Sequence, residues 1–247
     1  MCATEVRVLG EVEIRVGGRT LALGPPRQRR LLSALLVEPN VQISTGELIS
    51  RVWNGAPPPR VHNALYSYVS RLRAVFQCSD RLILTRGHRG YVLIVDDDDV
   101  DLCRFRALVS RARQPGGDRR RAKLAYETAL SLCRGAPFVD VDAAWLADLR
   151  GRFAAERLGA ELDLFDICLR EGQSSELLGP LNHYAAEHPL DERIAAQLMT
   201  VLCRHGRQAD ALRRYAGLSR RLRNELGVDP GARLAELHGR ILSGACP

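Results

Sequence analysis

Arg60-Val-His-Asn-Ala-Leu-Tyr-Ser-Tyr-Val-Ser-Arg-Leu-Arg-Ala-Val-Phe-Gln77 decides how the N-terminal part of this chain folds. Val61, Leu65, Val69, Leu72 and Phe76 step by 4, 4, 3 and 4 residues, which lays one apolar stripe along an α-helix. At about 100° per residue the opposite face carries Arg60, Asn63, Ser67, Ser70 and Ala74, with Arg71 on one flank and Tyr66 and Arg73 on the other. A helix face that only meets water usually carries Glu and Lys. Residues 60–77 contain three Arg and no acid. Basic, polar and small side chains on that face fit a helix lying in the major groove of DNA, which is about 12 Å wide.

The flanking sequence supplies the frame for such a helix. Val6, Val8, Val12, Ile14 and Val16 alternate with Glu5, Arg7, Glu11, Glu13 and Arg15, the period of half-buried strands. With Gly10 and Gly17-Gly18 as punctuation, three short antiparallel strands are expected at 5–9, 11–16 and 19–23. A helix follows Pro25-Pro26, with Leu31, Leu32, Leu35 and Leu36 on one stripe, and ends near Pro39-Asn40. A second starts at Ser44 or Thr45, where Ser44 and Glu47 have capping-box spacing, and stops at Asn54-Gly55. Prolines 57–59 then stiffen the connection. Beyond the 60–77 helix, Leu82–Thr85 and Tyr91–Val95 flank Arg86-Gly87-His88-Arg89-Gly90, a hairpin with a basic, glycine-rich tip. Three strands, three helices and a hairpin make a winged helix-turn-helix. Arg86, His88 and Arg89 are then placed to reach a minor groove or the phosphate backbone. Trp53 either packs inside the domain or offers its indole N–H to a phosphate.

Asp96-Asp97-Asp98-Asp99 breaks this pattern. Consecutive acids repel one another, so residues 96–100 are expected as an acidic, solvated linker, rather than a metal or phospho-acceptor cluster, between domains at 1–95 and 101–247. The second domain reads as all helix: 101–113, 118–133, 142–171, 174–187, 190–205, 207–226 and 231–243. A shift of 34 residues aligns Ile167 with Val201, Arg170 with Arg204, Gly172 with Gly206, Leu178 with Leu212 and Leu181 with Tyr215. That is the period of tetratricopeptide arrays, whose stacked helix pairs leave a curved surface for other proteins. The expected fold is an α+β winged helix-turn-helix followed by an all-α, tetratricopeptide-like helical domain.

Charge follows the same division. Of 247 residues, the first 95 hold 13 Arg, no Lys and 6 acids, while the rest hold 23 basic and 23 acidic residues. The entire net charge of +7 therefore sits in the N-terminal part, as expected of a polyanion-binding domain followed by a neutral one. The seven cysteines (2, 78, 103, 133, 168, 203 and 246) contain no CxxC, which disfavours a zinc module and suits reduced thiols used as small apolar fillers. No apolar run approaches the roughly 20 residues of a membrane span, and the N-terminus has no signal-peptide pattern, so a cytoplasmic protein is expected. The six His form no HExxH, no GxSxG is present, and Lys123 lies in no phosphate-binding loop. Neither catalysis nor a cofactor or metal is expected.

Several motifs together carry a resemblance. Leu9-Gly10, Gly18, Leu23-Gly24 and Arg27-Gln28-Arg29 come in order, followed by Glu47-Leu-Ile-x-x-Val-Trp53, Asn63-Ala-Leu-x-x-Tyr-Val-Ser-Arg-Leu-Arg73 and Arg86-Gly-x-x-Gly-Tyr91. This set resembles the OmpR-type DNA-binding domain used by streptomycete antibiotic regulatory proteins. His188-Pro-Leu-x-Glu-Arg193, Gly206-Arg-Gln-Ala-x-Ala-Leu-x-x-Tyr215 and Glu225-Leu-Gly-x-Asp-Pro230 resemble that family's bacterial transcriptional activator domain. The resemblance implies a transcriptional activator of antibiotic and other secondary-metabolite genes. Asn63, Tyr66, Ser67, Ser70, Arg71 and Arg73 would occupy the DNA-facing positions of its recognition helix, with Arg86 and Arg89 in the wing. The loop Asn54, Gly55, Ala56, Pro57, Pro58 and Pro59 corresponds to the stretch such domains turn toward RNA polymerase. It implies as partners double-stranded promoter DNA carrying direct repeats near the −35 element, a second copy on DNA, and RNA polymerase with its sigma factor. The wing holds one residue more between Gly87 and Gly90 than the simplest family pattern. The chain resembles the small, two-domain form, with neither an ATPase module nor a receiver domain. DNA affinity alone leaves open a repressor, or a scaffold that docks on nucleic acid without sequence preference.

Overall fold

Val6, Val8, Val12, Ile14 and Val16 are all buried, so the alternation in the first twenty residues does mark a sheet face turned to a core. The computed structural model describes residues 3–245. It forms β1 (Thr4–Arg7), β2 (Glu13–Val16) and β3 (Arg19–Thr20), antiparallel in that order, with Val6 opposite Ile14. The strands are shorter than the alternation implies. Residues 8–10 leave the ladder because their backbone groups are engaged elsewhere. The Val8 and Leu9 amides donate to the two Asp101 oxygens at 2.8 and 3.0 Å. Their carbonyls accept from Phe138 and Arg134, both at 2.9 Å.

Next, α1 (Pro26–Leu36) starts on a proline whose fixed φ suits a first helical turn, and it buries Leu31, Leu32, Leu35 and Leu36. α2 (Thr45–Trp53) is capped by Ser44, whose hydroxyl accepts from the Glu47 amide at 3.1 Å. It ends where Asn54 turns left-handed, at φ 49°. α3 (Val61–Phe76) buries Leu65, Val69, Leu72 and Phe76 and half-buries Val61. Three strands close the winged helix-turn-helix: β4 (Ile43–Ser44), β5 (Ile83–Arg86) and β6 (Gly90–Ile94), in the order β4-β6-β5. The two-residue β4 is too short to leave a periodic signal.

The acidic run is a docked turn rather than a free spacer. Asp97–Asp99 forms a 3₁₀ turn, and Arg81 binds Asp99 at 2.6 Å and Asp96 at 2.9 Å. Asn40 reaches Asp97 at 3.1 Å, and Val100 bridges to Val6. Cationic and amide partners thus absorb the repulsion that reads as solvation in the sequence. Asp101 follows, nearly buried, between the Val8 and Leu9 amides and Arg134; burial pushes its carboxyl above the ordinary range.

α4 (Asp101–Ala112) and α5 (Arg119–Ser131) pack together, and the Phe105 and Phe153 rings meet at 5.1 Å. Trp145 donates its indole N–H to the Arg51 carbonyl at 3.0 Å, and Arg29 pairs with Asp140. Such contacts make one compact unit of the described residues up to Ala160 and a second of those from Glu161. α6 (Ala147–Arg170) runs across that division. The second unit continues with α7 (Leu178–Glu187), α8 (Glu192–Arg204), α9 (Gln208–Arg221), a widened π turn at Leu222–Leu226, and α10 (Ala232–Leu242). α7 packs on α8, α8 on α9, and α10 on both α8 and α9. Gly172 and Gly206 close equivalent turns 34 residues apart with φ of 78° and 72°. Where the sequence reads one helix over 207–226, α9 stops at Arg221 and the π turn takes the rest.

The cysteines pack less than apolar filler would. Cys78 is exposed and Cys103, Cys133, Cys168 and Cys203 are half-buried. Cys2 and Cys246 lie outside the described residues.

Candidate nucleic-acid interface

α3 sets the geometry. With Leu65, Val69, Leu72 and Phe76 pulled inward, the helix must present its other side to solvent. Asn63, Tyr66, Ser67, Ser70, Arg71 and Arg73 are all exposed, as is Arg60 at the N-cap. At the wing, Arg86, His88 and Arg89 are exposed as well. Asn54, Gly55, Ala56, Pro57 and Pro59 are exposed and Pro58 half-buried, so the loop before α3 forms a separate open surface.

Trp53 is not among these exposed groups. It is 5% exposed, its ring lies 6.1 Å from that of Tyr68, and its indole N–H has no protein partner. Its position as the last residue of the amphipathic α2 turns it into the core. This burial takes Trp53 out of the set of side chains that can meet a phosphate.

The exposed side chains are ordered by one another. Arg73 donates from Nε to the Leu84 carbonyl at 2.8 Å, which ties α3 to the first strand of the wing. The Arg86 guanidinium sits over the Tyr66 ring at 5.7 Å, and the His62 ring lies 6.5 Å from the same tyrosine. Arg71 lies 6.0 Å from the Tyr68 ring. Stacking on a ring holds a guanidinium in place without neutralising it, because the ring carries only a quadrupole. These arginines thus keep their charge for an external anion.

The wing tip is held from below. The Gly87 amide donates to the Gly90 carbonyl at 3.0 Å, and the Thr45 amide to the Arg89 carbonyl at 3.1 Å. A Cβ on Gly90 would collide with the Ile43 carbonyl, and one on Gly87 with the Gln42 side chain. Gly90 is required by its close approach to backbone, whereas the exposed end of Gln42 can swing away from Gly87, and the basic tip lies against β4 and the start of α2. Beneath the tip, burial pushes the Tyr91 phenol up, with Arg86 acting in the opposite direction.

Two contributors escape sequence reading. His62 and Tyr66 stand four residues apart on one helix, so their proximity was available from spacing alone. Tyr68, half-buried between Trp53 and Arg71, joins the core to the exposed face through contacts that only the fold creates. Among the described residues no group of three or more His, Cys, Asp or Glu is placed to hold a metal ion, and no helix is long and apolar enough to cross a membrane.

Comparison with known proteins gives consistent matches. Residues 18–93 match the transcriptional regulatory protein C-terminal family, and residues 100–242 match the bacterial transcriptional activator domain family. Regulatory protein AfsR of Streptomyces griseus is 36% identical over 242 residues, covering 97% of this chain and 24% of that protein. The transcriptional regulator RedD of Streptomyces coelicolor is 34% identical over 246 residues, covering 97% of this chain and 70% of RedD. The chain thus spans about a quarter of the larger relative and most of the smaller one. The solved structure of Mycobacterium tuberculosis EmbR in complex with a low-affinity phosphopeptide superposes with a TM-score of 0.90 at 27% identity, covering 99% of this chain and 66% of that one.

Proposed function

The chain belongs to the streptomycete antibiotic regulatory protein family, and from that membership we propose that it is a sequence-specific DNA-binding activator of secondary-metabolite genes. It binds direct repeats near a promoter's −35 element as a homodimer on DNA. α3 enters the major groove, where Asn63, Arg71 and their neighbours meet base edges while Ser67, Ser70 and Arg60 are available to phosphates. Arg86, His88 and Arg89 flank it from the wing. The loop 54–59 faces RNA polymerase and its sigma factor. In modular terms residues 1–95 read DNA, 96–100 connect, and 101–247 supply the activator domain. The work is cytoplasmic and requires no catalytic step or cofactor.

One observation carries the reading: α3 turns an acid-free, arginine-bearing face to solvent while its wing arginine is stacked on Tyr66 rather than paired with a carboxylate. The experiment has two parts, selection of bound DNA sequences by the full chain and in vitro transcription from a selected promoter. The expected result is a direct-repeat footprint near the −35 element and increased transcript with purified polymerase. Protection of no defined sequence would reduce the protein to a scaffold, and reduced transcript would make it a repressor. Affinity should also fall with salt, with a log–log slope of about −0.9 per phosphate neutralised. A flat salt response would remove the electrostatic basis of the reading.

A further inference from the structure

A basic groove lies wholly within the second unit, along α9 and the π turn that follows. Its volume is about 530 Å³, and its lining includes Arg213, Arg214, Gly217, Arg220, Arg221 and Asn224. Small-molecule sites commonly measure about 300–1,000 Å³. The spacing explains the convergence: residues 213, 217 and 221 follow one another at helical intervals of four, with 214 and 220 beside them. The π turn at Leu222–Leu226 carries Asn224 onto the same side. Such widened turns recur at functional sites.

No Asp or Glu lines this groove. Arg213 is offset by Asp210, but Arg220 and Arg221 make no ion pair among the described residues. Arg214 is half-buried, donates one guanidinium nitrogen to the Ala185 carbonyl at 2.7 Å, and leaves its Nε buried with no partner. Burial and the nearby Arg221 charge hold the Arg214 guanidinium below the ordinary arginine range. Three cations crowded without a counter-charge repel one another, and a protein tolerates that where an anion completes the arrangement. The floor is Gly217, where an added Cβ would find nothing within 4 Å, so the space above it is open. A mid-helix glycine is a weaker helix former than alanine, and here it keeps the groove clear.

We propose that this groove binds a small phosphorylated molecule through a diphosphate-sized group, seated by Arg214, Arg220 and Arg221. Guanidinium forks match phosphate oxygens in pairs, and roughly three uncompensated cations suit a pyrophosphate-like charge. No aromatic ring lines the groove, so the phosphates rather than a stacked base carry the recognition.

The test is calorimetric titration of the full chain with inorganic pyrophosphate, with ADP, with sulfate at matched ionic strength and with hexaglutamate. Saturable one-to-one binding of a diphosphate is expected, weakened at least ten-fold in the Arg220→Gln/Arg221→Gln double variant. Gly217→Glu, which fills open space and improves helix propensity, should weaken it as much while leaving the protein folded. Tighter binding of ADP than of pyrophosphate would mark an organic diphosphate, and the reverse would mark the free ion; both support the site. Absence of saturable binding, equal binding of sulfate, or preference for hexaglutamate would each overturn the proposal. So would loss of binding in Arg71→Ala with the groove variants intact, because that would move the anion to α3. No DNA enters the assay, so its failure leaves the promoter-binding reading untouched.

Discussion

Helices α3 and α9 both expose arginines, yet they handle the charge differently. α3 has no acid anywhere along it, and its cations lean on neutral partners: Arg73 on a backbone carbonyl and Arg71 near the Tyr68 ring. On α9, Asp210 takes up Arg213 from the same helix and Arg207 at its N-cap, which leaves Arg214, Arg220 and Arg221 uncompensated on one side. A count of arginines therefore does not locate an anion-binding surface. What locates it is where carboxylates are missing within a few ångströms, and for α9 that is visible only residue by residue. The net charge of the C-terminal part is zero, which hides the groove entirely.

Five measurements would break or sharpen this contrast. The largest effect should come from the stripe that fixes the α3 face. Leu65 is fully buried, and Leu65→Ala should cost about 2–5 kcal/mol in urea unfolding of the first unit. An unchanged midpoint would mean that the stripe does not orient the helix. Next, Arg71→Ala should weaken promoter binding by about 1–3 kcal/mol and relax preference at one base position. A uniform loss over all sequences would instead make Arg71 a phosphate contact. Arg73→Ala should lower stability by about 0.5–1.5 kcal/mol through the lost bond to Leu84, in addition to any effect on DNA affinity. Stability equal to that of the parent would show that Arg73 serves DNA alone. Smallest, Tyr66→Leu should free Arg86 and cost about 0.5–1 kcal/mol of DNA affinity while the fold persists. As the counterpart on α9, Arg213→Ala should leave both DNA binding and thermal stability unchanged, since Asp210 keeps Arg207.

Much of the architecture was legible because it rests on periodicity. The stripe in α3, the alternation of β1 and β2, the Ser44 cap and the glycine turns 34 residues apart are local signals, and each appears where spacing placed it. What escaped depends on distant partners. β4 exists because β6 passes beside residues 43 and 44. The strand expected at 5–9 stops at Arg7 because Asp101 claims two amides more than 90 residues away. The acidic run reads as solvent-exposed until Arg81 and Asn40 are found against it. Trp53 shows the same dependence in the candidate site, where its ambiguity between core and phosphate contact was resolved by burial against Tyr68.

The order of residues alone determined that α3 is amphipathic with an acid-free outer face, that a basic hairpin follows it, and that paired helices repeat behind them. Those properties come from side-chain identity at fixed helical or strand spacing, which needs no neighbour in space. Only the tertiary structure decided which charges are answered and which are left standing: Arg86 on Tyr66, Arg81 between two aspartates, Arg214 against Arg221 in a groove that no Asp or Glu among the described residues lines. Electrostatic compensation acts across a few ångströms of space rather than along the chain, and folding sets those distances.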